Sequence, residues 1–272
     1  MRPMREILKK IHVHVPFLLL AGKFLPLMLR ERMHPEIGIS HMALDEVPQQ
    51  EFLRVAEILR RENLRVTVHA PFMDLRPGAL DPQIRRLSFE RIGQAFALMP
   101  HFRPRSVVCH ASFDERYYAS AEELWLENSV ETWRRLLPAA EAADTVICLE
   151  NVYEKEPLHI RRLLEAVDSP RLRFCFDTGH FNAFAATPME QWIDELGSWL
   201  GHVHIHDNGG ARDEHLPVGE GTFPFAGFFA LLRERSLQPT LTVESHSERD
   251  LRRMLDNLEA GNLLDGWEAE IR

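Results

Sequence analysis

The sequence predicts an α/β protein with a (β/α)8 barrel, or TIM barrel, as a single domain over residues 1–272. Three observations predict this fold. Eight short apolar runs recur along the chain, helical patterns lie between them, and 272 residues suit one barrel of eight such units. An open doubly wound sheet is the alternative, but the glycine-rich turn that is usual there does not follow the first predicted strand.

The predicted strands are dense in Val, Ile, Phe and Leu, as expected for parallel strands that are covered on both faces. They lie at residues 11–16, 36–40, 65–70, 106–110, 145–150, 173–177, 202–206 and 240–244. Because helical patterns alternate with them, we expect consecutive parallel βαβ units rather than hairpins.

The helical patterns are clearest at residues 50–62, where Phe52, Val55 and Leu59 share one face and charged side chains occupy the other. Further helices are predicted at 84–98, 121–143, 158–166, 189–200, 225–235 and 248–258. A first helix at 25–32 is predicted to be short and weak. The apolar stretch around it is interrupted by Pro16 and Pro26 and does not predict a membrane span.

Composition narrows the classes of function. The chain has 41 acidic and 32 basic residues, a formal net charge of −9, which argues against a protein that coats nucleic acid. Cys109, Cys148 and Cys175 lie inside apolar runs, so we expect buried, reduced thiols. With no targeting segment in evidence, we expect a cytoplasmic protein that does not bind membranes.

Polar residues that can bind metals occupy six consecutive predicted strands, the third to the eighth. They include His69, His110, Glu150, Asp177 and Glu244, and the seventh strand carries three histidines. Because the carboxyl ends of barrel strands meet at one face, these side chains should converge there. Carboxylates and imidazoles are ligands for divalent ions such as Zn²⁺ and Mn²⁺, and buried carboxylates need a cation nearby. The sequence therefore predicts a metal centre.

Strand alternation refines this arrangement, because side chains two residues apart share a face. Cys148 should lie below Glu150, and Cys175 below Asp177, deeper in the barrel, whereas Cys109 should face the helices. His202, His204 and His206 share one face, and alternation does not decide which of them binds metal.

At these residues the chain resembles the xylose isomerase-like barrel superfamily, which holds the sugar-phosphate isomerases and epimerases and endonuclease IV. The resemblance covers about residues 36 to 258. Its motifs are His69-Ala70-Pro71-Phe72, Leu149-Glu150-Asn151, Asp177-Thr178-Gly179-His180, His204-x-x-Asp207, Asp213-x-His215 and Gly219-Glu220-Gly221. Together they are specific for the superfamily but not for one activity.

The isomerase branch implies one metal ion held by Glu150, Asp177, His204 and Glu244, with His206 as the rival of His204. In that branch Glu150 and Glu244 are also the catalytic acid and base, and the substrate is a sugar or sugar phosphate whose enediolate the metal stabilises. The resemblance further implies that the substrate is contacted by His180, Arg212, His206 and Phe72. The turn at 219–221 is expected to offer a phosphate cradle.

The endonuclease IV branch implies three zinc ions, with additional ligands His69, His110, His180, Asp213 and His215, and phosphodiester hydrolysis at abasic sites or of another phosphate ester. All these residues are present, so one to three divalent ions per chain are expected. The loop at 40–46 is not basic, which favours a small sugar over nucleic acid. A third hypothesis is a barrel that binds a ligand without catalysis. The sequence leaves the substrate, the metal and a homo-oligomeric state open.

Overall fold

Eight parallel strands pair in chain order, and β8 closes onto β1, in the computed structural model of the protein, which describes residues 6–267. The strands are β1 His12–Pro16, β2 His34–Gly38, β3 Thr67–His69, β4 Ser106–His110, β5 Val146–Glu150, β6 Leu172–Asp177, β7 Leu200–Ile205 and β8 Thr240–Val243. The closed barrel confirms the predicted fold class. The predicted domain bounds, 1–272, stay a prediction, because residues 1–5 and 268–272 lie outside the described part.

Helices surround the barrel. They span Phe17–Leu19, Leu25–Glu31, His41–Glu46, Gln49–Arg61, Pro82–Phe96, Met99–Phe102, Glu115–Tyr118, Glu122–Ala142, Leu158–Val167, Thr178–Phe184, Met189–Leu196, Phe225–Glu234 and Glu248–Ala260, with 3₁₀ turns at Glu6–Lys9 and Gly197–Trp199 and a wider π turn at Leu20–Phe24. Among the described residues, no helix is both long and apolar enough to cross a membrane.

The first predicted helix, at 25–32, is present as Leu25–Glu31. The structure adds a short helix and a π turn before it, where Phe17 and Leu20 are buried against the core, and one predicted helix differs. The helix predicted at 189–200 ends at Leu196, since a 3₁₀ turn follows and β7 already begins at Leu200. The other predicted helices and strands are present with ends shifted by a few residues.

The interior of the barrel confirms the predicted alternation of cysteines. Val108, Cys148 and Cys175 form a small apolar cluster inside the ring of strands, whereas Cys109 packs in the core shared with the helices. One step further along the same inward face, strand pairing sets His110 beside Glu150, and Asp177 beside His204. The sheet register thus delivers four polar residues to one level of the barrel mouth.

Asp207, just after β7, organises the loop that follows. Its buried carboxylate accepts hydrogen bonds from the backbone N–H groups of Asn208, Gly219, Gly221 and Phe223, at 2.9–3.1 Å. The turn at 219–221 therefore does not offer the expected phosphate cradle. The amides that would bind the phosphate already bind a carboxylate of the chain itself.

We expect Asp207→Asn to lower the free energy of unfolding by about 2 kcal/mol, because an NH2 group replaces one acceptor oxygen and leaves buried N–H donors without a partner. Urea unfolding measures the change. The matched acid-to-amide control is Glu90→Gln on an exposed helix surface, where Glu90 lies 3.7 Å from Arg86; it should change stability by less than about 0.5 kcal/mol. Equal effects of the two substitutions would contradict this role of Asp207.

Candidate active site

His204, on β7, lies at the centre of the first group of predicted metal ligands. Its Nδ1 is 3.2 Å from Oε1 of Glu150, 3.5 Å from Oδ2 of Asp177 and 3.5 Å from Oε1 of Glu244. All four residues are buried. Ligand atoms that bind one ion at about 2.0–2.2 Å stand roughly 3.0–3.5 Å apart, so Glu150, Asp177 and His204 could hold a divalent ion, with Glu244 beside them.

A second group lies beside the first, on β3 and β4, and shares Glu150 with it. Nε2 of His69 is 3.1 Å, and Nε2 of His110 is 3.2 Å, from Oε2 of Glu150. The ring of Phe72 stacks on His110 with a centroid separation of 4.4 Å and meets His69 edge-on at 5.1 Å. Phe72 therefore covers these two histidines, and its 41% exposure places it at the rim of the site.

A third group comes from the loops after β6 and β7. Oδ2 of Asp213 is 3.4 Å from Nε2 of His180 and 3.1 Å from Nε2 of His215. His206 stacks on His215 with parallel rings 3.9 Å apart, and its Nε2 lies 3.0 Å from Asp177. The Nδ1 atoms of His206 and His215 are buried and have no hydrogen-bond partner in the described part of the chain. Unsatisfied ring nitrogens beside a carboxylate also suit a cation.

The pKa shifts of the buried carboxylates also favour a cation in the cluster. Burial acts to raise the pKa of Glu150, but the imidazoles of His204 and His110 hold it well below its usual range. Burial likewise opposes ionisation of Asp177, and His180 and His206 reverse the effect, so its pKa is lowered. These carboxylates are ionised inside protein and draw positive charge to themselves.

Local hydrogen bonds hold Asp177 in place. The side-chain amide of Asn151 accepts the backbone N–H of Asp177 at 2.9 Å and donates to its carbonyl at 3.2 Å. The Asp177 carboxylate caps the helix Thr178–Phe184 by accepting the N–H of His180 at 2.6 Å. The Leu-Glu-Asn motif of β5 thus supplies one candidate ligand and the support of another.

The structure brings the predicted metal ligands together, but it does not bring Arg212 into the same contacts. Every candidate ligand lies in one of the three groups described above, whereas the side chain of Arg212 is 83% exposed and stands 3.6 Å from Glu214. The structure also adds residues that the sequence argument missed, Glu36 on β2 and His14 on β1. Glu36 is fully buried beneath His204, and His14 Nδ1 lies 3.2 Å from Glu36 and 3.5 Å from Glu244. A lone Glu amid the apolar residues of a strand was the available signal.

Fold and centre define the class of this protein: a TIM barrel with buried carboxylates and imidazoles clustered at the carboxyl ends of its strands. The chain belongs to the xylose isomerase-like TIM barrel family, whose family model matches residues 35–271.

Three relatives illustrate the range of the family. The chain is 30% identical over 202 residues to an uncharacterized protein of Methanocaldococcus jannaschii, covering 71% of this chain and 69% of that protein. It is 27% identical over 200 residues to a probable endonuclease 4 of Symbiobacterium thermophilum, covering 66% and 71%. The crystal structure of a D-tagatose 3-epimerase-like protein superposes with a TM-score of 0.77 at 24% identity, covering 92% of this chain and 96% of the other. This likeness shows the shared fold.

Glu154 sits in the loop after β5 and generates a pH prediction. Its buried carboxylate accepts the N–H of Phe113 at 3.2 Å and of Val152 at 2.6 Å, and burial raises its pKa to about 7. Between about pH 4.5 and 7 the unfolded chain releases this proton while the folded chain keeps it, so stability falls as pH rises.

We expect the wild type to lose about 3 kcal/mol relative to Glu154→Gln between pH 4.5 and pH 7.5, because one pKa unit corresponds to about 1.4 kcal/mol. Urea unfolding of both proteins, in chelator, across this range measures the difference. Parallel stability curves for the two proteins would show that Glu154 has an ordinary pKa in the folded state.

Proposed function

We propose that the protein is a divalent-metal-dependent isomerase or epimerase of a sugar, and that Glu150, Asp177, His204 and Glu244 hold the metal. The observation that carries the proposal is the convergence of three carboxylates, from β5, β6 and the end of β8, on Nδ1 of one imidazole. When bound, a divalent ion supplies a Lewis acid that polarises a substrate carbonyl. The fold shared with a D-tagatose 3-epimerase-like protein supports this class.

Glu150 and Glu244 are the acid and base of the proposal. They reach the centre from β5 and from the end of β8, two separate sectors of the ring of strands, so that a sugar between them meets a carboxylate on either side. One carboxylate takes the proton from the carbon next to the carbonyl, and the other returns a proton. His180, His206 and Phe72 line the mouth and contact the rest of the sugar. Arg212, which precedes Asp213 in the loop after β7 and is 83% exposed, stays a predicted substrate contact in this proposal.

The charges around the mouth support a neutral sugar rather than a phosphodiester. On the loops after β4, β5 and β7, cations pair with carboxylates of the chain itself: Arg116 with Asp114 at 2.7 Å, Lys155 with Glu115 at 2.6 Å, and Arg212 with Glu214 at 3.6 Å. Binding of duplex DNA depends on cations that are available to phosphates. Asp207 also occupies the amides of the glycine-rich turn.

Glu244→Gln should leave the fold intact and lower proton exchange between solvent and substrate by at least about 100-fold, because proton transfer by a placed side chain contributes about 10²–10⁴-fold. The measurement is deuterium incorporation from D2O, by NMR, across a panel of ketoses with metal-loaded protein. Glu220→Gln is the control, since exposed Glu220 pairs with Arg253 outside the centre. Full exchange in Glu244→Gln would refute its role, and tight sugar binding without exchange in the wild type would favour a non-catalytic barrel.

A zinc phosphodiesterase is the second candidate, and a specific observation favours it. His69 and His110 with Glu150, and His180 and His215 with Asp213, form two further groups beside the first. They are the additional ligands of the endonuclease IV branch, and three ions would suit a phosphate ester.

Metal content and an abasic-site duplex separate the two candidates. We expect protein purified without chelator and then fully metallated to leave the duplex intact, because its loop cations are paired, and plasma mass spectrometry counts the ions per chain. One ion favours the isomerase. Two or three ions, together with cleavage that weakens steeply as salt rises, would establish the phosphodiesterase instead.

A further inference from the structure

Glu36 occupies the floor of the candidate active site and touches four strands besides its own. The hydroxyls of Thr67 on β3 and Thr242 on β8 donate to its Oε2 at 3.2 and 3.0 Å. Nε2 of His202 lies 3.2 Å from the same oxygen, and Nε2 of His204 lies 3.1 Å from Oε1. Nδ1 of His14 on β1 lies 3.2 Å from Oε1 as well, so this fully buried carboxylate has a partner at both oxygens.

His204 stands between this floor and the first group of candidate ligands. Its Nε2 faces Glu36 and its Nδ1 faces Glu150, Asp177 and Glu244. The Glu36 carboxylate accepts hydrogen bonds from its neighbours, so Nε2 of His204 donates to it. Nδ1, which faces the three candidate carboxylate ligands, is then the nitrogen that a cation would bind in exchange for a proton. A carboxylate behind a metal-binding histidine sets the ring orientation and raises the basicity of the ligand nitrogen.

We propose that Glu36 is the positioning residue that makes His204, rather than His206, the imidazole ligand of the centre, an inference that rests on the metal site of the proposed function. In this proposal Glu36 acts from behind His204, on the side of Nε2, and its Oε2 accepts the hydroxyl protons of Thr67 and Thr242.

His206 lacks such support. Its Nε2 faces Asp177, which is itself a candidate ligand, and its Nδ1 has no hydrogen-bond partner among the described residues. Its ring stacks on His215, and because its Nε2 lies 3.0 Å from the carboxylate of Asp177, that nitrogen donates to a candidate ligand. Its Nδ1 lies 3.5 Å from Asp213, on the side of the third group. His14 completes the floor from β1, with Nδ1 3.2 Å from Glu36 and 3.5 Å from Glu244, so that the positioning carboxylate and one candidate ligand share a neighbour.

The test compares zinc binding to chelator-treated protein by calorimetry in four forms. These are wild type, Glu36→Gln, His204→Gln, which keeps a donor toward Glu36 but lacks the ligand nitrogen, and the double variant. We expect Glu36→Gln to weaken binding about 10–100-fold, in line with losses of outer partners of metal ligands. In the double variant Glu36→Gln should add no further loss, because it acts through His204. Glu154→Gln, another buried glutamate, is the matched control and should bind zinc like the wild type.

A second measurement keeps the inference separate from the proposed function. Crystal structures of wild type and Glu36→Gln, both metal-free, show whether the His204 ring turns when the carboxylate is lost. An unchanged ring, unchanged zinc affinity in Glu36→Gln, or additive losses in the double variant each overturn the positioning role. A wild type that binds no zinc, manganese or cobalt, with a ring that turns in Glu36→Gln, refutes the metal-dependent function and leaves Glu36 as the residue that orients His204.

Discussion

Buried negative charge is the constraint on which the mouth of this barrel depends. Glu36, Glu150, Asp177 and Glu244 have little access to water, and ionised carboxylates in such surroundings are costly unless positive charge lies beside them. Imidazoles lie 3.0–3.5 Å from these carboxylates. Burial acts to lower the pKa of His204, but the surrounding carboxylates, Glu36 and Glu244 among them, raise it. A divalent ion would relieve the same imbalance with one charge centre and release protons from the imidazoles.

The register of the parallel strands brings the buried carboxylates and imidazoles together. Residues far apart in sequence reach one level because parallel pairing sets His110 beside Glu150, and Asp177 beside His204. The loop after β7 adds Asp213 and His215 to these groups. Asp207 ties this loop to the barrel by accepting hydrogen bonds from its backbone amides. The centre is thus built partly on strands and partly on this loop.

Much of this could be predicted from sequence, because it depends on local patterns. Apolar runs at regular spacing predict the barrel. Polar residues at the carboxyl ends of the strands predict which side chains converge at its mouth, including Glu150, Asp177 and Glu244. Glu36 and His14 were not predicted as site residues, because they lie in the middle of β2 and β1 and the prediction considered only the carboxyl ends of strands. The exposed position of Arg212 and the use of the 219–221 amides by Asp207 depend on long-range contacts that no local pattern encodes. The helical turns that precede Leu25 were not predicted, because they depend on tertiary burial of Phe17 and Leu20.

The pair of thiols under the centre bears on which metals the protein can tolerate. Cys148 and Cys175 lie one step below Glu150 and Asp177 on the same inward face, and burial raises the pKa of Cys148 to about 12. A neutral thiol is a poor ligand, so ions that favour oxygen and nitrogen find those donors alone at the level of the carboxylates. A thiophilic ion such as copper(I), which displaces the proton of a thiol, would find a sulfur-lined floor beneath. The barrel therefore carries two kinds of donor on the same inward face, oxygen and nitrogen at the ends of the strands and sulfur one step below.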